Sequence, residues 1–319
     1  MTGVQVYQTN DRNQSLFEAG FSLHRTAVAL GGFDAMHIGH QAIIQRVVEK
    51  AKAEGLTSVV YLFRNQPRTV VTGSSVPQVY SLNKRLDLLE SMGVDAVVAE
   101  WFTPQYQTVS PEAFVSRYVK ERLDARYLAV GFNYRFGSRG AGDTHMLCQL
   151  AAEHGIEVEV APAVEVGGVA VSSSRIRELI QSGQVSLAAK CLGRPFTFTG
   201  SVVSGNQVGR TMGFPTANVA CRFDTLLPKF GVYLTKTKVD GGWVPSITNL
   251  GARPTVTDAT PWLETHLLEF DGDLYEKEIE IAFFDYLREI KEFISLDVLA
   301  GQLDNDKQRA KEYFASNHP

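Results

Sequence analysis

Two histidines three residues apart, His37 and His40, enclose Gly39 just downstream of a Gly31-Gly32-Phe33-Asp34 turn. At a helix start the first backbone N–H groups lack partners and the dipole is positive. Side chains three apart share one face of that first turn, and Gly39 lets an anion approach the backbone. Two imidazoles placed this way can hydrogen-bond phosphate oxygens and steady charge as it builds on a pentavalent phosphorus. That chemistry is nucleotidyl transfer, in which the protein mostly positions reactants. A metal pair fits less well, because the His-Glu-x-x-His arrangement and a third ligand are missing.

A second set of groups lies far downstream. Gly205-Asn206-Gln207-Val208-Gly209-Arg210-Thr211 invites a phosphate-loop reading, yet it is one residue short, arginine stands where lysine belongs, and no helix follows. It runs instead into Met212-Gly213-Phe214-Pro215-Thr216-Ala217-Asn218. The glycines let a loop close over phosphates, and the Thr216 hydroxyl and Asn218 amide are hard oxygen donors suited to Mg²⁺. In Leu263-Glu264-Thr265-His266-Leu267, alternation puts Glu264 and His266 on one face and the other three on the opposite face. Taken alone, Glu264 reads as a solvated strand residue.

The elements around these groups change character along the chain. Up to about residue 185, short β-rich runs at 26–30, 59–63, 96–99, 127–130 and 156–161 alternate with amphipathic stretches at 42–54, 85–92 and 146–154. Ser110-Pro111-Glu112 is a strong helix start, a capping hydroxyl followed by proline. Strand, helix, strand, repeated, predicts a parallel sheet with helices on its faces. After about residue 194 the runs at 196–203, 231–239, 243–247, 263–270 and 278–284 are β-rich, with Asp240-Gly241-Gly242 as a hairpin turn. Only 296–314 reads as a helix there. The second half is therefore a small β-barrel or sandwich with a terminal helix, joined to the first at 183–194.

Composition bounds the function. The 319 residues are 44% hydrophobic and 21% charged, with net charge −4, which argues for a folded chain and against a general nucleic-acid or membrane-surface binder. Cys148, Cys191 and Cys221 are scattered and odd in number, so they read as reduced thiols in a cytoplasmic protein. The N-terminus lacks an apolar signal core, and no apolar run approaches 18 residues.

Gly-Gly-Phe-Asp-x-x-His-x-Gly-His resembles the nucleotidyltransferase signature in the form found in bacterial FMN adenylyltransferases. The stretch from Gly131 to Gly137 with Gly142-Asp143, and Ser172-Ser173-Ser174-Arg175-Ile176-Arg177, resemble two further blocks of that family. Gly-Arg-x-x-Gly-Phe-Pro-Thr-Ala-Asn resembles the riboflavin kinase signature, as do Asn249-Leu250-Gly251-Ala252-Arg253-Pro254-Thr255, the strand of Glu264, and the block around Arg288. The chain departs from the family pattern at Ala35, where glycine is usual, at Asn133, where aspartate is usual, and in Arg64-Asn65-Gln66-Pro67. The order matches bacterial bifunctional riboflavin kinase/FAD synthetases.

This resemblance implies an α/β nucleotidyltransferase domain over residues 1–185 and a kinase barrel over 186–319. It implies riboflavin, FMN and ATP as substrates, Mg²⁺ as cofactor, and no nucleic-acid, membrane or obligate protein partner. It gives His37 and His40 to adenylyl transfer and makes Glu264 the base of the kinase. Nucleotide contacts fall on Gly31, Phe33, Asp34, Gly39, Ser172, Ser173, Ser174 and Arg175, and in the barrel on Gly205, Gly209, Arg210 and Gly213. Asn133, Arg253 and Arg288 would meet the flavin, and Thr216 and Asn218 the metal. Two rivals stand beside it: a kinase whose first domain has drifted, and a flavin-binding regulator without turnover.

Overall fold

The computed structural model describes residues 3–9, 12, 16, 21–203, 216–221, 225–252 and 261–317. The chain divides into two compact units, Met1–Ser173 and Ser174–Pro319.

The first unit alternates strand and helix as its sequence rhythm predicts. Its strands are β1 (Gln5–Gln8), β2 (Thr26–Leu30), β3 (Thr57–Phe63), β4 (Ala96–Glu100), β5 (Ala125–Gly131) and β6 (Glu157–Ala161). They form one sheet in the order β1-β4-β3-β2-β5-β6 with every neighbour parallel. Between them run α1 (Ile38–Glu54), α2 (Pro67–Thr72), α3 (Leu82–Ser91), α4 (Pro111–Ala113, continuing as a π-helical Phe114–Arg122) and α5 (Thr144–Glu153). Every residue of β2 and of β4 is buried, as expected of strands covered on both faces. Helix α1 buries Ile43, Ile44, Val47, Val48 and Ala51 and ends at Gly55, whose φ of 63° suits the left-handed cap. Ser110 caps α4 by accepting from the Ala113 N–H.

From β2 the chain steps outward through β3 and β4, then returns to the other side of β2 for β5 and β6. The sheet order therefore reverses between β2 and β5, and in open parallel sheets the ligand crevice opens at the carboxyl ends of the strands flanking that point. The turn bearing His37 follows β2, and the turn bearing Asn133 follows β5.

A small hairpin, β7 (Glu165–Val166) with β8 (Val169–Ala170), precedes α6 (Ser173–Gln181) and α7 (Val185–Leu192). The stretch 183–194, read as a join, thus contains a helix that buries Val185, Ala188, Cys191 and Leu192. The second half is a closed barrel, not a sandwich: β10 (Ala217–Ala220), β13 (Pro261–Leu267), β12 (Gly242–Ala252), β11 (Gly231–Val239), β14 (Glu278–Arg288) and β9 (Phe196–Val203). Neighbours are antiparallel throughout. Asp240 and Gly241, φ 48° and 87°, make the two-residue turn between β11 and β12.

Helix α8 (Leu296–Asn317) packs Ala310 and Phe314 on an outer apolar patch of Val232, Leu234, Ile247, Leu268 and Leu287. Arg288 on β14 pairs with the fully buried Asp306 of α8, donating from Nη2 at 2.7 Å and from Nε at 2.9 Å. On the interior face, Thr235, Thr237, Ser246, Thr248 and Thr265 are wholly buried and bond to one another, Thr235 to Ser246 at 2.9 Å and Thr248 to Thr265 at 2.9 Å among them. Among the described residues no helix is long and apolar enough to cross a membrane.

Candidate active sites

In the first unit the turn after β2 is tightly wound. Phe33 and Met36 both adopt left-handed backbone, φ 44° and 47°, and both are fully buried, a costly conformation for such residues. The Phe33 ring folds back over Gly31, where a Cβ would lie 2.9 Å from its Cζ. Asp34, 5% exposed, accepts the Val79 N–H with its two carboxylate oxygens at 3.2 and 3.3 Å. Ala35 is buried and keeps negative φ, so a methyl group is accommodated where glycine is usual in the family the sequence resembles.

His37 is the N-cap of α1, and its Nδ1 accepts the His40 N–H at 3.2 Å. Accepting there requires the neutral ring to carry its proton on Nε2. The His37 and His40 rings stack with centroids 3.6 Å apart, and Phe33 meets His40 edge-on at 5.1 Å. A Cβ on Gly39 would stand 3.3 Å from the His37 ring. The sequence-predicted pair is therefore one packed stack at a helix N-terminus, with a donor aimed away from the cap.

The other predicted residues of this half sit as follows. Asn133 is exposed directly beyond β5, and its Oδ1 would be 3.5 Å from a Cβ on Gly131. Ser172 precedes α6; Ser173, Ser174 and Arg175 form its first turn. The Arg64–Pro67 stretch ties the ends of β3 and β4 together: Asn65 donates to the Phe102 carbonyl at 3.0 Å and accepts the Phe102 N–H at 2.9 Å. The Arg64 guanidinium lies 4.5 Å over the Trp101 ring, and burial with Arg12 nearby lowers its pKa.

In the barrel, register builds the site. Asn218 on β10 pairs with Glu264 on β13, and Glu264 pairs in turn with Asn249 on β12. Directly paired residues point to the same side of a sheet, so the three form one row on the outer face. The row continues through Val232 of β11 to Arg288 of β14. Glu264 is half-buried, not solvated. Trp262 donates its indole N–H to Asn218 Oδ1 at 3.0 Å, leaving that oxygen a second lone pair. Asn249 Oδ1 is buried with no hydrogen-bond partner among the described residues. An open, buried oxygen beside a carboxylate and a second amide oxygen fits a hard cation. Thr216 lies two residues before Asn218, at the threshold of β10. Gly205, Gly209, Arg210, Gly213 and Arg253 lie outside the described residues.

Two family models match the chain, FAD synthetase over residues 21–175 and riboflavin kinase over 192–314. Curated relatives match nearly end to end. The bifunctional riboflavin kinase/FMN adenylyltransferase of Pseudomonas fluorescens is 37% identical, over 92% of this chain and 94% of that one. Its counterpart in Escherichia coli K12 is 34% identical with the same coverage. The chain belongs to the bifunctional riboflavin kinase/FMN adenylyltransferase family. A crystal structure of a Streptococcus pneumoniae protein described as a macrolide-efflux protein is also similar, with TM-score 0.87 and 26% identity over 97% of this chain and 99% of that one.

For this family member, sequence reasoning located the signature residues and missed those that act through the fold. Asn249 was legible only as a motif letter, because its place beside Glu264 depends on the register of β12 against β13. Trp262 and Val79, which hold Asn218 and Asp34, carry no motif at all.

Proposed function

We propose that the chain makes FAD from riboflavin in two steps, riboflavin phosphorylation by residues 186–319 and adenylylation of FMN by residues 1–185. The family-model matches fall on either side of that division. The observation that carries the kinase reading is the Asn218–Glu264–Asn249 row. Glu264 takes the proton of the ribityl hydroxyl as its oxygen attacks the γ-phosphorus of ATP, and ADP leaves. Asn218, Asn249 and Thr216 supply the neutral oxygens for Mg²⁺, which when bound offsets phosphate charge. Arg288, tied to Asp306, positions the β14 end of the row, next to the flavin.

In the other unit an FMN phosphate oxygen attacks the α-phosphorus of ATP, and pyrophosphate leaves. His37 donates from Nε2 and His40 stacks behind it, at the positive end of the α1 dipole; together they stabilise the charge that builds on the phosphoryl oxygens. Gly31, Phe33, Asp34 and Gly39 shape that anion site. Ser172 to Arg175 bind nucleotide phosphate at the start of α6, and Asn133 meets the flavin. The three unpaired thiols support a reducing, cytoplasmic setting.

Pure protein incubated with riboflavin, ATP and Mg²⁺ is expected to yield FMN, then FAD with pyrophosphate, resolved by chromatography. FMN alone would leave only the kinase half of this reading, and unchanged riboflavin would leave neither.

A further inference from the structure

The two amides that flank Glu264 are held differently. Asn249 Oδ1 is buried with no hydrogen-bond partner among the described residues. Asn218, 7% exposed, has its Oδ1 bound by the Trp262 indole N–H at 3.0 Å, the one hydrogen bond that its side chain makes among the described residues.

Strand register accounts for this contact. Trp262 stands two residues before Glu264 on β13, so the two share the outer face, and Glu264 is paired with Asn218 on β10. Trp262 is therefore the diagonal neighbour of Asn218, a spacing that aromatic side chains can bridge. Its directly opposed partners are Ala220 on β10 and Gly251 on β12, neither of which has a polar side chain to draw the indole N–H away.

The bond decides which way the amide faces. An asparagine side chain is close to two-fold about χ2, so half a turn exchanges its oxygen for its NH2. The indole N–H is a donor only and can pair with the oxygen but not with the NH2. A flipped amide would set donor against donor. With Trp262 on one lone pair of Oδ1, the other keeps a fixed direction. Only the oxygen can ligate a divalent cation, because an NH2 turned the same way presents hydrogens.

We propose that Trp262 is a positioning residue for riboflavin phosphorylation, acting through Asn218: its indole N–H selects the amide orientation that presents Oδ1 to the divalent cation carried by ATP. The proposal rests on the reading of Asn218 as a ligand of that cation.

The test measures binding as well as rate. Mg·ADP, and ADP in excess EDTA, are titrated calorimetrically into the full-length parent, Trp262→Phe, Asn218→Asp and the double variant. Riboflavin phosphorylation is followed across a Mg²⁺ series with the same preparations. The nucleotide site of the first unit is common to all four proteins, so differences between them belong to the barrel. Trp262→Phe is expected to weaken Mg·ADP binding about fivefold, the scale of one hydrogen bond between neutral groups, and to leave metal-free ADP binding unchanged. The Mg²⁺ concentration for half-maximal phosphorylation is expected to rise by the same factor. Asn218→Asp has an oxygen in either orientation, so Trp262→Phe is expected to cost under about twofold in that background.

Equal weakening of Mg·ADP and of metal-free ADP would make Trp262 a packing residue and overturn the proposal. So would parent affinities in Trp262→Phe, or an equal cost in both backgrounds. Should Trp262→Phe not fold, Trp262→Leu, which also lacks the N–H, takes its place with the same expectations. Asn218→Ala separates the two levels of the argument. If it binds Mg·ADP as tightly as the parent, Asn218 is no ligand and that reading falls; if it binds more weakly while Trp262→Phe does not, only the role of Trp262 falls.

Discussion

The two halves of the chain solve the same problem, holding ATP beside a flavin, with opposite uses of the β-strand. In the parallel sheet β2 is buried from end to end, and every candidate catalytic group sits beyond its carboxyl end, on a turn and a helix start. In the barrel the candidate groups lie on the strands themselves, Glu264 standing on the outer face of β13 between Asn218 and Asn249. A doubly covered strand has no free face to offer, so function moves to the loops. An antiparallel barrel offers its outer face, so function can spread across strands far apart in sequence.

If this contrast is right, damage in one half leaves the other working. The largest effect is expected from Glu264→Gln, which keeps shape and removes basicity: riboflavin phosphorylation should fall about 10²–10⁴-fold, while FAD formation from supplied FMN is unchanged. A variant that phosphorylated riboflavin at the parent rate would return Glu264 to the status of an ordinary strand residue. His37→Ala should do the converse, lowering FAD formation roughly 10²–10³-fold by removing one donor to the developing charge, so that FMN accumulates. Coupled assays that separate FMN from FAD check both.

A finer comparison concerns Asn133, an exposed residue on a loop, where an amide keeps hydrogen bonds but not charge. Asn133→Asp should change the rate or FMN affinity of adenylylation by under about tenfold. A thousandfold gain would show the first half to be nearly idle as it stands. The smallest effect is on stability alone. Ser110→Ala removes the cap of α4, far from either set of catalytic groups in sequence, and should destabilise the first unit by about 1 kcal/mol, read as an earlier unfolding transition with both activities intact at 25 °C.

The same contrast explains what the sequence disclosed. The sheet and its site were legible because their information is local: the β-rich rhythm, the Ser110-Pro111 helix start, and a signature contained within Gly31 to His40. The Asp240-Gly241 turn and the β-rich runs around it marked an all-β second half equally well. Barrel and sandwich could not be told apart, because closure depends on β9 meeting β10, a pairing no local pattern encodes. Helix α7 hid in the supposed join because it is only 8 residues long, framed by Gly183 and Gly193. Asn249 was legible only as a motif letter, because its place beside Glu264 depends on the register of β12 against β13.

The hydroxyl cluster inside the barrel has a consequence for how the chain avoids error. Thr265 and Thr248 stand one residue from Glu264 and Asn249 and face the opposite way. Sliding β13 by a single residue against its neighbours would swing Glu264 into the interior and expose Thr265. A barrel lined only with aliphatic side chains would tolerate such mispaired forms more readily, since oil has no preferred partner. Here every shifted pairing strands buried hydroxyls at about 1–3 kcal/mol apiece. The polar interior therefore works as a combination lock, releasing a closed barrel only when the outward carboxylate falls between its two amides.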